Sequence, residues 1–277
     1  MKLELLQFLK EVLELTINVQ RQQWRKENNK DTFRMKFLKI LLGIFLFSIG
    51  ISAQTEKNVD KQSLLWTRYY NQLELNNKWS VHTEIDNRIF INPVTQNTFV
   101  SRVQLRDKIT DKVELGAGFA YFSVATQDPE VKTGFHIPEY RLQQDAMVKQ
   151  SLGKVNLTHR YLLEERFVHN ASKIMLEDGT TFYLRFRYRI QGDYTFWKKE
   201  KQYLKGILSD EIMINGGNKI IKNTFDQNRV YAAVQVGVSP AVALELGYLN
   251  SFQERANGVD YFNRDIIRFS FIHKVKI

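Results

Sequence analysis

Residues 79–91 read WSVHTEIDNRIFI, and their alternation decides the fold class. Trp79, Val81, Thr83, Ile85, Ile89 and Ile91 fall on one face; Ser80, His82, Glu84, Asp86 and Arg88 fall on the other. Successive Cβ atoms of a strand point to opposite sides, so the segment has one apolar face and one wet, charged face. A helix of 3.6 residues per turn would smear the same residues around its circumference. Residues 99–109 repeat the pattern, with Phe99, Val103 and Leu105 against Arg102, Gln104, Arg106 and Lys108. In residues 182–190, Phe182, Leu184, Phe186, Tyr188 and Ile190 oppose Tyr183, Arg185, Arg187 and Arg189.

The remaining alternating segments are 64–75, 112–125, 138–152, 155–168, 202–214, 227–238, 241–252 and 264–277. Many exceed the roughly five or six residues of a soluble strand and match the roughly 9–11, with extensions, of a tilted membrane strand. Short connections at Asn76-Asn77, Thr110-Asp111, Gly153-Lys154, Lys198–Lys201 and Ser239-Pro240 alternate with longer ones at 92–98, 126–137, 169–181, 215–226 and 253–263. Short turns at one end and long loops at the other is the bacterial outer-membrane arrangement. The fold class is all-β, an antiparallel up-and-down transmembrane β-barrel. Such barrels usually have an even number of strands. The reading therefore predicts about 12 strands, with 10 as the alternative, and residues 54–63 either thread the lumen or add a short strand.

The chain has 277 residues and begins twice. Residues 35–54, MKFLKILLGIFLFSIGISAQ, carry Lys36 and Lys39, an uncharged apolar run from Ile40 to Ile51, and Ser52 and Ala53 before Gln54. This is the layout of a cleaved secretory signal, and the run is shorter than the roughly 20 residues of a spanning helix. Residues 1–34 read as an upstream extension from a misassigned start, 35–53 as the signal and 54–277 as the barrel. The rival reading is a cytoplasmic helix followed by an uncleaved anchor.

Cysteine is absent, which removes thiol catalysis, disulfides and Cys-type metal sites. The net charge is +10, from 40 Lys+Arg against 30 Asp+Glu. Residues 1–53 carry nine and five of these, which leaves 31 against 25, or +6, for the barrel. A mean hydropathy of −0.36 suits a barrel, which shows lipid only every second side chain. Trp66, Trp79, Trp197, Tyr69, Tyr70, Tyr121, Tyr161, Tyr203, Tyr231, Tyr248 and Tyr261 are expected as interfacial girdle residues. At the C-terminus, Ile267, Phe269, Phe271, Val275 and Ile277 share one face.

The opening LLWTRYYNQLELNNKWSVHTEIDNR resembles a family of predicted bacterial outer-membrane proteins of unknown function. The shared marks are a Trp-bearing first strand (Trp66), a turn ending in Lys78-Trp79, and a second strand closing on Arg88. The resemblance implies a barrel and brings no activity or catalytic residue.

Charge is expected in the lumen. Arg102, Arg106, Lys108, Arg141, Arg160, Arg166, Arg185, Arg187, Arg189 and Arg268 should share it with Glu84, Asp86, Glu114, Glu139, Glu164, Glu211 and Glu245. One outcome is a cationic constriction that favours anions. The other is a plug of mutually paired charges, since bidentate Arg–carboxylate bonds stabilise each other in a confined space. The sharpest feature is the ladder Arg185, Arg187, Arg189, three guanidiniums roughly 6.5–7 Å apart on one face. It could hold phosphate or carboxylate groups or pair with acids on adjacent strands.

Enzymatic signals are weak. An outer-membrane hydrolase pairs a nucleophilic Ser with a His held by a polar third group, and no Ser lies in a recognisable nucleophile motif. Of His82, His136, His159, His169 and His273, only Thr158-His159-Arg160 suggests half a dyad, and His159 falls on the lipid-facing side. No metal-ligand spacing appears among these histidines. Gly216-Gly217 lacks the Lys-Ser/Thr of a phosphate cradle. The sequence thus points to an exported outer-membrane barrel without enzymatic chemistry, cofactor, metal or nucleic-acid partner. Its partners are membrane lipid and small polar or anionic solutes, and its role is passive transport or envelope structure. The competing classes are an outer-membrane lipid hydrolase or acyltransferase and a periplasmic β-sandwich binding protein.

Overall fold

The computed structural model describes residues 57–131, 134–172, 174–217, 220 and 224–277, which are all strand, turn and loop. Residues 1–56, which hold the expected extension and signal, lie outside the described residues. Eleven strands occupy the described chain: β1 (Val59–Glu74), β2 (Trp79–Ile91), β3 (Val94–Lys108), β4 (Val113–Val124), β5 (Ile137–Leu152), β6 (Val155–Ala171), β7 (Leu176–Lys199), β8 (Gln202–Gly216), β9 (Phe225–Gly237), β10 (Val242–Glu254) and β11 (Tyr261–Lys276). Each pairs antiparallel with its sequence neighbour, and β1 pairs with β11 to close the barrel. Closure leaves no edge with unpaired backbone N–H and C=O groups.

The closing seam is parallel, running from Val59↔Tyr261 to Glu74↔Lys276. The strand number, eleven, is close to the expected 12, and it is odd because the seam is parallel, whereas the parity argument assumed an antiparallel one. One expectation is corrected. Residues 59–63 neither thread the lumen nor form a strand of their own; they extend β1 along β11. Val59 therefore starts at the same end of the barrel as Tyr261, opposite to Ile277.

Local chemistry fixes the turns at one end. Asn76 Oδ1 accepts from the backbone N–H of Lys78 and Trp79, each at 2.8 Å. Thr110 Oγ1 and Ser239 Oγ do the same for the residues two and three positions ahead. These side chains supply the turn's acceptor locally, so strand register follows from the turn. Gly153 takes φ +62° in the two-residue link between β5 and β6. Lys108 is not lumenal as expected: its Nζ reaches Asp111 Oδ1 of the next turn at 2.8 Å. That bond holds the Asp111 carboxyl below the usual carboxylate range.

At the other end, residues 92–98 and 169–181 are mostly strand rather than loop. Asn92-Pro93 makes a tight turn into β3, and β6 and β7 continue as a hairpin with Val168↔Thr181 and His169↔Thr180. The chain after β4 reaches the seam at Gln127. Gln127 is held by Gln62 Nε2, which donates to its carbonyl at 2.9 Å, and by Arg264 Nη2, which donates to its Oε1 at 2.8 Å.

The alternation holds around the wall. Ile85, Val103, Leu115, Val234, Leu246 and Phe269 face outward at 42–59% exposure, while their strand neighbours are mostly buried or half-buried. A continuous apolar exterior of this extent is foreign to a soluble monomer. Outward aromatics stack in cross-strand pairs, such as Tyr69–Phe271 and Phe119–Tyr140. Outward polar residues are partnered: Asn228 donates to Asp210, Tyr248 to Asp265 and Gln144 to Glu165. Four of the expected girdle residues instead turn inward. Trp66 and Tyr231 are buried, and Tyr70 and Tyr203 bond His82 and Gln235. The run Leu64-Leu65-Trp66 is apolar on both faces, so alternation could not assign Trp66 a side.

Candidate functional site

The barrel interior is the candidate site. Its apolar part is a cluster of Leu64, Trp66, Phe90, Ile207, Tyr231, Ala233, Leu249 and Ile266, from strands on both sides of the seam. Gly247 admits the Tyr231 ring, since a Cβ there would collide with it. Tyr231 Oη is thereby delivered to Glu245 Oε1 at 2.7 Å.

The charged part is built around a few buried carboxylates. Glu164, with no exposed surface, accepts from Arg185 Nε at 2.8 Å, Gln143 Nε2 at 2.7 Å, Arg187 Nη1 at 3.2 Å and Arg141 Nη1 at 3.3 Å. Each arginine has a second acid: Arg141 bonds Glu139 at 2.7 Å, Arg185 bonds Asp226 at 2.9 Å, and Arg187 bonds both oxygens of Glu211 at 2.8–2.9 Å. Arg166 adds to Glu139. Asp145 bridges Arg106 at 3.2 Å and Arg160 at 2.6 Å. Glu84 holds Arg102 and lies 4.0 Å from Arg68, and Glu245 holds Arg68 at 3.4 Å and Arg268 at 3.1 Å. Asp86 holds Arg88 at 2.7 Å. A buried charge is tolerated only with such partners, because loss of hydration otherwise exceeds the Coulomb gain.

The interior is not uniformly sealed. Leu64, Ile266 and Glu164 are fully buried, whereas the side chains of Arg68, Glu84, Arg102, Arg160 and Arg268 keep 13–19% exposure. The sequence-predicted cluster Arg102, Arg106, Arg160, Arg185, Arg187, Glu84, Asp86 and Glu164 is thus joined in ion pairs. Arg189 is the exception: among the described residues it makes no ion pair, and its Nε is buried without a partner.

A family model described as a protein of unknown function (DUF2490) matches residues 64–263. The chain belongs to the DUF2490 family. No curated protein and no solved structure matches it. In this DUF2490 barrel two of the shared sequence marks meet: Trp66 and Arg88 are directly opposed on β1 and β2, with the guanidinium 3.9 Å from the ring centre. The contact is a cation–π stack that ties the apolar and charged halves of the interior together.

Sequence reasoning missed the inward residues Arg68, Asp145, Asp226, Arg229 and Arg264. Alternation already contained Asp145 and Arg229. Asp145 shares the parity of Glu139 and Arg141, and Arg229 that of Tyr231. Among the described residues Arg264 bonds neutral partners only, Gln62, Gln253 and Gln127.

The histidines separate into two groups. His159 faces outward against Tyr188 Oη at 2.9 Å, away from any serine bond. His82 faces inward, with Nδ1 2.8 Å from Tyr70 Oη and Nε2 3.2 Å from Ser80 Oγ. That contact was not foreseen, although Ser80 and His82 share a face two residues apart. Among the described residues no group of three or more His, Asp and Glu side chains is placed to hold a metal ion.

Proposed function

We propose that the protein is an integral β-barrel of the outer membrane of a Gram-negative cell, delivered by a cleaved signal and acting without enzymatic chemistry. Its lumen is a narrow, passive route for small polar solutes that prefers anions. The carrying observation is the guanidinium-rich interior behind an apolar outer wall. Interior arginines outnumber interior carboxylates, and several keep contact with solvent space. Rings of Arg attract anions and repel cations. The test is membrane fractionation followed by planar-bilayer recording of the purified chain in a salt gradient. The expected result is an outer-membrane protein with a small conductance and a reversal potential on the anion side. A cation-side potential, or a protein recovered without detergent, would overturn the proposal.

A second reading has its own observation. Ser80, His82 and Tyr70 stand in the order of nucleophile, base and orienting group. Arg106, directly opposite Ser80 in the ladder, has a buried Nη2 without a partner. This set suits an acyl-transfer site inside the lumen. A fluorophosphonate probe distinguishes it. Labelling that disappears in Ser80→Ala would replace the non-enzymatic reading; no labelling supports it.

A further inference from the structure

The ladder Arg185, Arg187, Arg189 divides in the structure. Its first two rungs are saturated by Glu164, Asp226 and Glu211, while the third is unpaired. Arg229 on β9, like Arg264, has no acid partner among the described residues. Its Nη2 donates to the neutral Gln227 at 3.2 Å, its guanidinium lies 5.3 Å from the Trp66 ring centre, and its Nε is buried without a partner.

The ladder register places these two groups together. Arg189 is directly opposite Glu211, and Glu211 is directly opposite Arg229. Neighbouring strands lie about 4.8 Å apart, so the two arginine backbones are roughly 9–10 Å apart on the same inward face, one on each side of Glu211. Glu211 hydrogen-bonds Arg187 through both oxygens and bonds neither of the two, so its one negative charge is shared among three guanidiniums. On its other side Arg189 is directly opposite Arg160, a like-charge pair that costs stability when nothing lies between. Arg160 is committed to Asp145. Two guanidiniums with unused N–H donors thus flank one spent carboxylate, in a row that carries surplus positive charge.

We propose that Arg189 and Arg229 form a binding site for a small oxyanion, inorganic phosphate or the phosphate group of a small organic phosphate. Planar guanidinium forks match phosphate oxygens bidentately, and the low local dielectric strengthens the bonds. The inference rests on the lumen being the functional compartment, and it names the solute class for that lumen.

The test uses the full barrel in detergent. Inorganic phosphate and, in a separate arm, glycerol 3-phosphate are titrated against chloride at matched ionic strength. Binding is read by calorimetry and by tryptophan fluorescence, to which Trp66 contributes beside Arg229. Saturable phosphate binding is expected, weakened roughly tenfold or more in Arg189→Gln and in Arg229→Gln, the size of one lost charge-assisted bond. Arg255→Gln, at the barrel rim beside Asp60, should leave it unchanged. Glu211→Gln removes the flanking negative charge and should tighten binding severalfold, which keeps the test alive if the arginine variants fail to fold. Absence of saturable binding, or equal binding in all variants, overturns the site. Heat-modifiable gel migration of the same samples reports the barrel independently, so loss of the site and loss of the barrel are separate results. A response to both phosphate arms indicates recognition of the phosphate group; a response to the organic arm alone assigns the site to organic phosphates.

Discussion

Glu164→Gln should be the most damaging single substitution of a charge in the barrel. Glu164 is fully buried and accepts from three guanidiniums and one amide. Removing one partner of a buried ion pair typically costs about 3–5 kcal/mol, because the remaining charge is left without compensation. Arg141, Arg185 and Arg187 each keep one other acid, Glu139, Asp226 or Glu211. The cost should therefore fall near the lower bound, about 3 kcal/mol. The assay is equilibrium denaturant unfolding of the refolded barrel in lipid vesicles, with Glu165→Gln as the control. Glu165 is the next residue, faces outward and has the single partner Gln144 at 3.1 Å. Its neutralisation should change stability by less than about 0.5 kcal/mol. If the two variants lose the same stability, the ion-pair network does not hold the interior together and the reasoning fails.

Further expectations rest on other parts of the wall. Val234→Arg places a guanidinium on the outward face beside Leu246 and should cost about 2–4 kcal/mol by unfolding from vesicles; unchanged stability would show that this face does not meet lipid. Gly247→Val drives a side chain into the Tyr231 ring and should cost about 1–3 kcal/mol by the same unfolding assay, with Tyr231→Ala in the background recovering part of the loss. Arg264→Ala removes the bond to Gln127 Oε1 and should raise the rate of proteolytic cutting next to Gln127 several-fold over wild type; an unchanged rate would show that Gln127 is held elsewhere.

Much of this architecture was legible in the sequence. Each of the eleven alternating segments corresponds to one strand, because period-two burial follows directly from a wall between two different environments. The short turns were legible from Asn76, Thr110, Gly153 and Ser239, whose side chains or φ preference act locally. What escaped was non-local. The parallel seam depends on the first and last strands meeting, which no local pattern encodes. The extension of β7 from Leu176 was hidden by Asp178 and Gly179, a turn-forming pair that tertiary pairing draws into the ladder. In the interior, alternation sorted the charged residues by face but could not say who pairs with whom. The three consecutive ladder arginines read as equivalent. The acids of β6, β8 and β9 make two of them structural and leave the third unpaired.

The most direct test of a lipid-facing wall around an ionised lumen uses the chain's freedom from cysteine. Single cysteines are introduced one at a time along β9 at residues 232 to 236 and spin-labelled in reconstituted membranes. Labels at Ala232, Val234 and Val236 should collide readily with oxygen dissolved in the bilayer, and labels at Ala233 and Gln235 should not. Equal collision with oxygen at all five positions, or free access of a water-soluble nickel relaxant to the three outward ones, would contradict the membrane barrel.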